Sequence, residues 1–227
     1  DTSAVHGAPL GAEELAGLKR NLGFDPEKFF DVPGDVYDWF EDRGAACHRM
    51  NLRWKKALRD WTAAHADLAA ARDAAQHGYL PQKLEAKLPV FDSSKPLATR
   101  NACGAVMCAL AAEVPFLVGG SADLEPSNKT NLKPFGWNSA TDFSGRNFHW
   151  GIRELGMSAI VNGLVAHGGY RAFGATFAVF SDYCKPAMRL AALMGLPSMW
   201  VFSHDSFYVG EDGPTHEPVE QLAMLRT

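Results

Sequence analysis

The chain has no long apolar run. No window approaches the roughly 18 apolar residues that a membrane-spanning helix needs. It has no excess of basic residues either. Its 22 Lys and Arg stand against 26 Asp and Glu, a net charge of −4, which argues against a dedicated nucleic-acid binder. No basic start leads into an apolar leader core, so a cytoplasmic protein is expected. Cysteine is scarce: Cys47, Cys103, Cys108 and Cys184 form no CxxC or Cys/His ligand spacing. That argues against a zinc site or a disulfide framework, and reduced, mostly buried thiols are expected. There is no initiating Met, no internal repeat and no low-complexity tract. The chain opens at Asp1 into a Gly/Pro-rich stretch, Val5 to Gly11, and stops at Thr227 just after an apolar helix-like run. A piece of a longer protein, or one ordered only in part, is the expectation.

What is there is organised in two parts. Residues 1–45 are mixed, with a short helix expected over Glu13 to Leu22 and breaks at Pro26, Pro33 and Gly34. Met50, Trp54, Leu58, Trp61 and Leu68 recur at three- and four-residue steps, which predicts an amphipathic helix over 46–76, ended by Gly78 and Pro81. From Pro96 the pattern alternates. Helices are expected over Leu97–Glu113, Leu155–His167, Phe177–Met194 and from Glu217, with Pro218 in its first turn. Strands are expected at Pro115–Val118, closed by Gly119-Gly120, near Asn147–Trp150, at Arg171–Ala175 and at Ser198–Phe202. This alternation predicts an α/β fold, a parallel sheet with helices on both faces, preceded by a helical linker.

Polar residues fall just past the expected strands: Ser121 and Asp123, then Arg153 and Glu154, then Thr176, then His204 and Asp205. Ligands of open α/β sheets bind at the carboxyl ends of the strands, so four such clusters mark one edge as the candidate site. Each residue also has an ordinary reading. Glu154 suits a helix N-terminus, paired to Arg153. Phe177, Phe180 and Tyr183, at three-residue steps, suit plain core. Arg100 suits a solvated helix start and Ser127 a turn. Gly210 to Pro218 suits a connecting loop, with His216 at a helix start.

Taken in order, several stretches resemble the transketolase family. They are Leu97-Ala98-Thr99-Arg100; Gly119-Gly120-Ser121-Ala122-Asp123-Leu124 with Pro126 to Thr130; Gly151-Ile152-Arg153-Glu154; Gly174-Ala175-Thr176-Phe177; and His204-Asp205-Ser206 with Gly210 to Pro218. Ser3 to Gly11 resembles the end of the family's diphosphate-binding domain. The resemblance implies a thiamine diphosphate-binding fold. Residues 1–95 would be the end of the diphosphate-binding domain plus the helical linker, and residues 96–227 a pyrimidine-binding domain truncated at its C-terminal end. It implies two-carbon ketol transfer from a ketose phosphate to an aldose phosphate.

The resemblance also implies roles. Glu154 would hydrogen-bond the aminopyrimidine of thiamine diphosphate and favour its imino form, which activates the thiazolium carbon. Phe177, Phe180 and Tyr183 would pack around that ring, with Asp123 at the cofactor interface. Arg100, Ser127 and His204 would bind the sugar phosphate, Arg as a fork and the other two by single bonds. Asp212 and His216 would contact the donor's hydroxyls and carbonyl, and His6 would stand near the diphosphate and reaction centre. Leu155 departs from the pattern, since many relatives carry histidine there.

The family's Gly-Asp-Gly metal motif is absent from the chain. The resemblance therefore implies Mg2+ or Ca2+ held by residues outside it, no metal ligands within it, and a homodimer whose partner supplies the diphosphate half of the site. The isolated chain is expected to bind cofactor poorly and to be inactive. The alternatives are a dihydroxyacetone synthase-like enzyme and a non-catalytic assembly module of the same fold.

Overall fold

Leu117–Ser121 (β1), Arg171–Phe177 (β2) and Met199–Ser203 (β3) form one parallel sheet in the order β1-β2-β3. Ser121 lies opposite Ala175, and Ala175 opposite Val201, so the carboxyl ends of the three strands lie along a common edge. The computed structural model describes residues 3–206 and 208–227. It divides into two compact units, Asp1–Ala64 and His65–Thr227.

In the second unit, alternate strand residues feed two cores. Val118, Ala172, Trp200 and Phe202 pack with Met157, Val161, Val165 and Cys184 from Glu154–His167 (α6) and Ser181–Met194 (α7) on one face. Leu117, Phe173 and Val201 pack with Met107, Ala111 and Leu110 from Thr99–Glu113 (α4) on the other. Ala74 and Ala75 of Ala66–His77 (α3) join that second core. A sheet covered on both faces needs apolar residues on both, which is why its strands read as continuous small and apolar runs. The expected α/β architecture is thus observed.

Several boundaries differ from expectation. Gly119 and Gly120 do not close β1 but lie within it. A Cβ on Gly119 would fall onto Phe173, and one on Gly120 onto the Phe148 carbonyl, so the glycines permit close approach rather than a turn. Asn147–Trp150 is not a strand. Asn147 makes isolated bridges to Gly119 and Trp137, and Phe148 N donates to Gly119 O at 2.8 Å. The segment lies along β1 but is held by its own turns, with the Asn147 side chain bonded to Leu132 and Gly136.

Phe177 ends β2 instead of opening a helix, and a 3-10 turn over Ala178–Phe180 precedes α7. The last helix is only Gln221–Leu225 (α8); Pro218 lies outside it, and the Gln221 side chain accepts from Val219 N at 2.8 Å. Of the four thiols only Cys184 is fully buried; Cys47 is exposed, and all four are free. Burial pushes the Cys184 thiol up to about 11, with the Glu154 carboxylate adding to the shift, so it stays protonated.

The first unit is helical. Ala12–Asn21 (α1) carries Glu13 and Glu14 in its first turn and Lys19 and Arg20 in its last, as the helix dipole favours. The long helix starts at Gly34, well before the expected position 46, and runs to Ala64 (α2). Pro33 precedes it without breaking it, because its missing N–H costs nothing where helical donors are unpaired anyway, and its carbonyl accepts from Val36 N at 3.1 Å. The helical run is interrupted at His65, whose φ is −136°. Among the described residues no helix is long and apolar enough to cross a membrane.

Candidate functional site

Strand ends carry the site. β1 turns out of the sheet at Asp123, whose φ of 61° is in the left-handed region and whose N–H donates to Ser121 O at 2.9 Å. β3 does the same at His204, with φ 54°. Such backbone is tolerated by Asp and His better than by branched residues, and it costs stability unless the surroundings hold it. Both residues stand just past the carboxyl ends of their strands.

Glu154 stands in the first turn of α6 and is only 8% exposed. Among the described residues its carboxylate makes no ion pair and no side-chain hydrogen bond. The expected Arg153 partner goes elsewhere: its guanidinium donates to Trp150 O at 2.8 Å. Glu154 lines a cavity of about 490 Å³ with Ala122, Asp123, Leu124, Ile152, Phe180, Tyr183 and His216. The carboxylate thus offers acceptor oxygens to the cavity that a donor on a ligand could meet.

The three aromatic rings do not share one helix. Phe177 belongs to β2, Phe180 to the 3-10 turn and Tyr183 to α7, yet they stack in series, Phe177 to Phe180 at 6.2 Å and Phe180 to Tyr183 at 6.1 Å between centroids. Three residues per turn bring i and i+3 into line, so the 3-10 geometry makes the stack. His216 meets Phe180 edge-on at 5.2 Å and Phe177 at 6.0 Å, and its Nδ1 is 2.8 Å from Thr215 Oγ1.

A second cavity, about 750 Å³, is lined by Arg100, Asn128, Ser203, His204 and Asp212 among others. Arg100 Nη1 is 2.9 Å from His204 Nε2 and 3.5 Å from Ser127 O. The His204 ring stacks on Phe177 at 3.8 Å. Partial burial and the Arg100 charge push the His204 pKa down, and His216 adds to this; Asp212 and Asp205 pull it up by less. Neutral imidazole beside a guanidinium is the result, with the fork of Arg100 at the mouth of the cavity.

The structure therefore groups Glu154, Phe180, Tyr183, His216 and Asp123 around one cavity, and Arg100, His204 and Asp212 around the other. Phe177 bridges them, and Ser127 reaches Arg100 through its carbonyl. His6 belongs to the first unit, exposed in a turn where its N–H donates to Ser3 O at 3.0 Å. Among the described residues no cluster of His, Cys, Asp and Glu could hold a metal ion. Sequence reasoning missed Ser203 and gave Asn128 no role, although both are buried polar residues at the site. The signal that could have found Asn128 is its place one residue after Ser127.

Residues 95–227 match the family model described as transketolase, pyrimidine binding domain, and residues 1–81 match that described as transketolase, thiamine diphosphate binding domain. The chain is 48% identical over 229 residues to the transketolase of Bacillus subtilis and 49% identical to that of Geobacillus stearothermophilus, covering 99% of this chain and 34% of each relative. It thus spans about a third of the length of these relatives. Among solved structures, transketolase from Leishmania mexicana matches with a TM-score of 0.87 at 43% identity, covering 96% of this chain and 33% of that one. A Pichia stipitis transketolase in complex with sedoheptulose 7-phosphate matches with a TM-score of 0.85 at 37% identity, covering 98% and 34%.

Proposed function

Since the chain belongs to the transketolase family, we propose that it supplies the ring-binding half of a thiamine diphosphate site. The enzyme it serves would move a two-carbon ketol unit from a ketose phosphate to an aldose phosphate. The observation that carries this is Glu154, a nearly buried carboxylate without a protein partner on the wall of a cavity faced by Phe180 and Tyr183. A flat heteroaromatic ring fits that cavity: its faces meet aromatic side chains and its edge nitrogen meets the carboxylate. When bound, thiamine diphosphate supplies a stabilised carbanion equivalent to the reaction.

This chain's own residues do the rest. Glu154 holds a proton at the ring nitrogen, in a place water reaches poorly. Phe177, Phe180 and Tyr183 fix the ring plane, and Asp123 closes the edge of the same cavity. His216 faces the donor's oxygen and shares its proton while the carbon–carbon bond breaks. Asp212 reads a donor hydroxyl, and an epimer that left it unpaired would be disfavoured. Arg100, Ser127 and His204 form the phosphate end. For His6, which belongs to the first unit, the proposal is a role on the diphosphate side of such a site.

The diphosphate and its Mg2+ or Ca2+ would be held by residues of a partner subunit in a cytoplasmic homodimer. Exposed Ile152, Leu155 and Tyr183 beside the Glu154 cavity support such an interface, because three large apolar groups at a site's mouth favour burial. A dihydroxyacetone synthase-like activity uses the same donor chemistry with a different acceptor. A purely structural module has no use for an unpartnered buried carboxylate.

The test is a two-carbon transfer assay on the intact enzyme with thiamine diphosphate, Mg2+, a ketose phosphate donor and either an aldose phosphate or formaldehyde as acceptor. Transfer to the aldose phosphate is expected. Transfer to formaldehyde alone would favour the dihydroxyacetone synthase-like reading, and no transfer to either would refute the enzymatic one. Calorimetry of the 227-residue chain with cofactor and Mg2+ is expected to show weak binding; micromolar affinity would overturn the half-site.

A further inference from the structure

Behind His204 runs a chain of hydrogen bonds whose direction is determined. Arg100 has only donors, so His204 Nε2, 2.9 Å away, must be the bare acceptor nitrogen. A neutral imidazole then carries its proton on Nδ1, which is 2.9 Å from Ser203 Oγ, and Ser203 must accept it. The single Ser203 proton goes to Asn128 Oδ1 at 2.5 Å. That fixes the amide: Asn128 Nδ2 donates to Ser121 Oγ at 2.6 Å. Ser121 in turn donates to the Ala175 carbonyl at 3.1 Å, in the centre of the sheet.

Five bonds thus point one way, from the guanidinium at the cavity to a backbone oxygen of β2. Asn128, Ser203 and Ser121 are 1%, 8% and 4% exposed, so water competes poorly for the inner links, while the Arg100–His204 bond at the outer end is exposed. The opposite polarity would place an Nε2–H against a guanidinium N–H, two donors with nothing between them. Chains of this kind reinforce each other bond by bond, so the internal end influences the external one.

We propose that Ser203 and Asn128 are positioning residues: they hold His204 as the Nδ1–H tautomer, so that its bare Nε2 aims Arg100 at the anion. His204 acts in this way on Arg100, orienting its guanidinium. The phosphate part rests on the function proposed above; the tautomer part does not.

The experiment is imidazole 15N NMR of the histidine-labelled protein, at a pH well above the usual histidine range, together with titration by inorganic phosphate. Wild type is expected to show His204 protonated at Nδ1 and bare at Nε2. Ser203→Ala removes the acceptor and is expected to shift the population towards Nε2–H and to weaken phosphate about tenfold, the scale of one lost bond to a charged group. Ser203→Thr keeps the hydroxyl and should restore both. Asn128→Ala should act like Ser203→Ala, with circular dichroism to confirm folding; if it does not fold, the Ser203 pair still decides. An Nε2–H tautomer in wild type, or one unmoved by Ser203→Ala, would overturn the proposal. The expected tautomer and shift, with no phosphate binding in wild type, would support the relay and refute the phosphate reading of the cavity.

Discussion

The His204 ring lies on the Phe177 ring, centroids 3.8 Å apart and 29° between planes. Phe177 also meets Phe180 and His216 beside the other cavity. One residue at the end of β2 therefore touches side chains that line each of the two cavities.

Phe177→Ala should destabilise the fold by about 3–5 kcal/mol, as buried aromatic truncations do, because the ring is only 5% exposed. Phe177→Leu should recover most of that stability but not the flat surface under His204. Denaturant unfolding paired with phosphate titration separates the two roles. If Leu restored phosphate binding fully, the stack would be mere filling.

Glu154→Gln should lower turnover of the intact enzyme by about 10²–10⁴, the usual weight of a positioned proton-transfer group. Stability should stay level or rise, because the substitution removes a nearly buried charge that has no protein partner. Steady-state kinetics and thermal unfolding on the same preparation check both. A marked loss of stability would mean that the carboxylate has a structural job instead.

His204 has a lowered pKa in the folded state, from burial first and Arg100 second. The unfolded chain then binds the proton more tightly than the folded one, so stability rises with pH across the window between the two values. The contribution is complete above about 6.5, the usual histidine value, and is lost as pH falls through the lowered one. Unfolding measured across this range should show that slope, and His204→Gln should flatten it. An unchanged slope in the variant would assign it to other groups.

Gly120→Ala should cost about 3 kcal/mol or more, since its Cβ would fall onto the rigid Phe148 carbonyl rather than onto a movable side-chain end. Gly163→Ala, in α6 with open space around it, should be neutral or mildly stabilising. Melting temperatures of the two variants make the comparison. Equal effects would show that β1 tolerates separation from the 148 segment.

Much of this was written in the sequence. The alternation of apolar runs with helical periods gave the parallel sheet, because strands covered on both faces and helices covered on one leave different patterns. The polar residues just past the expected strands, Asp123, Thr176 and His204 among them, marked one sheet edge, and the resemblance suggested its chemistry. Residue spacing along the chain was enough to mark the edge; the proposed chemistry rests on the resemblance. Other features needed three dimensions. Phe177, Phe180 and Tyr183 read as a helix face but stack across a strand end, a 3-10 turn and a helix. Gly119 and Gly120 read as a turn, yet they let backbone approach backbone inside β1. Ser203 and Asn128 are 75 residues apart and share a bond that no local pattern announces. Local propensity and periodicity are properties of neighbours in sequence. The direction of a buried hydrogen bond, and the partner a carboxylate lacks, are settled only when distant segments close around them.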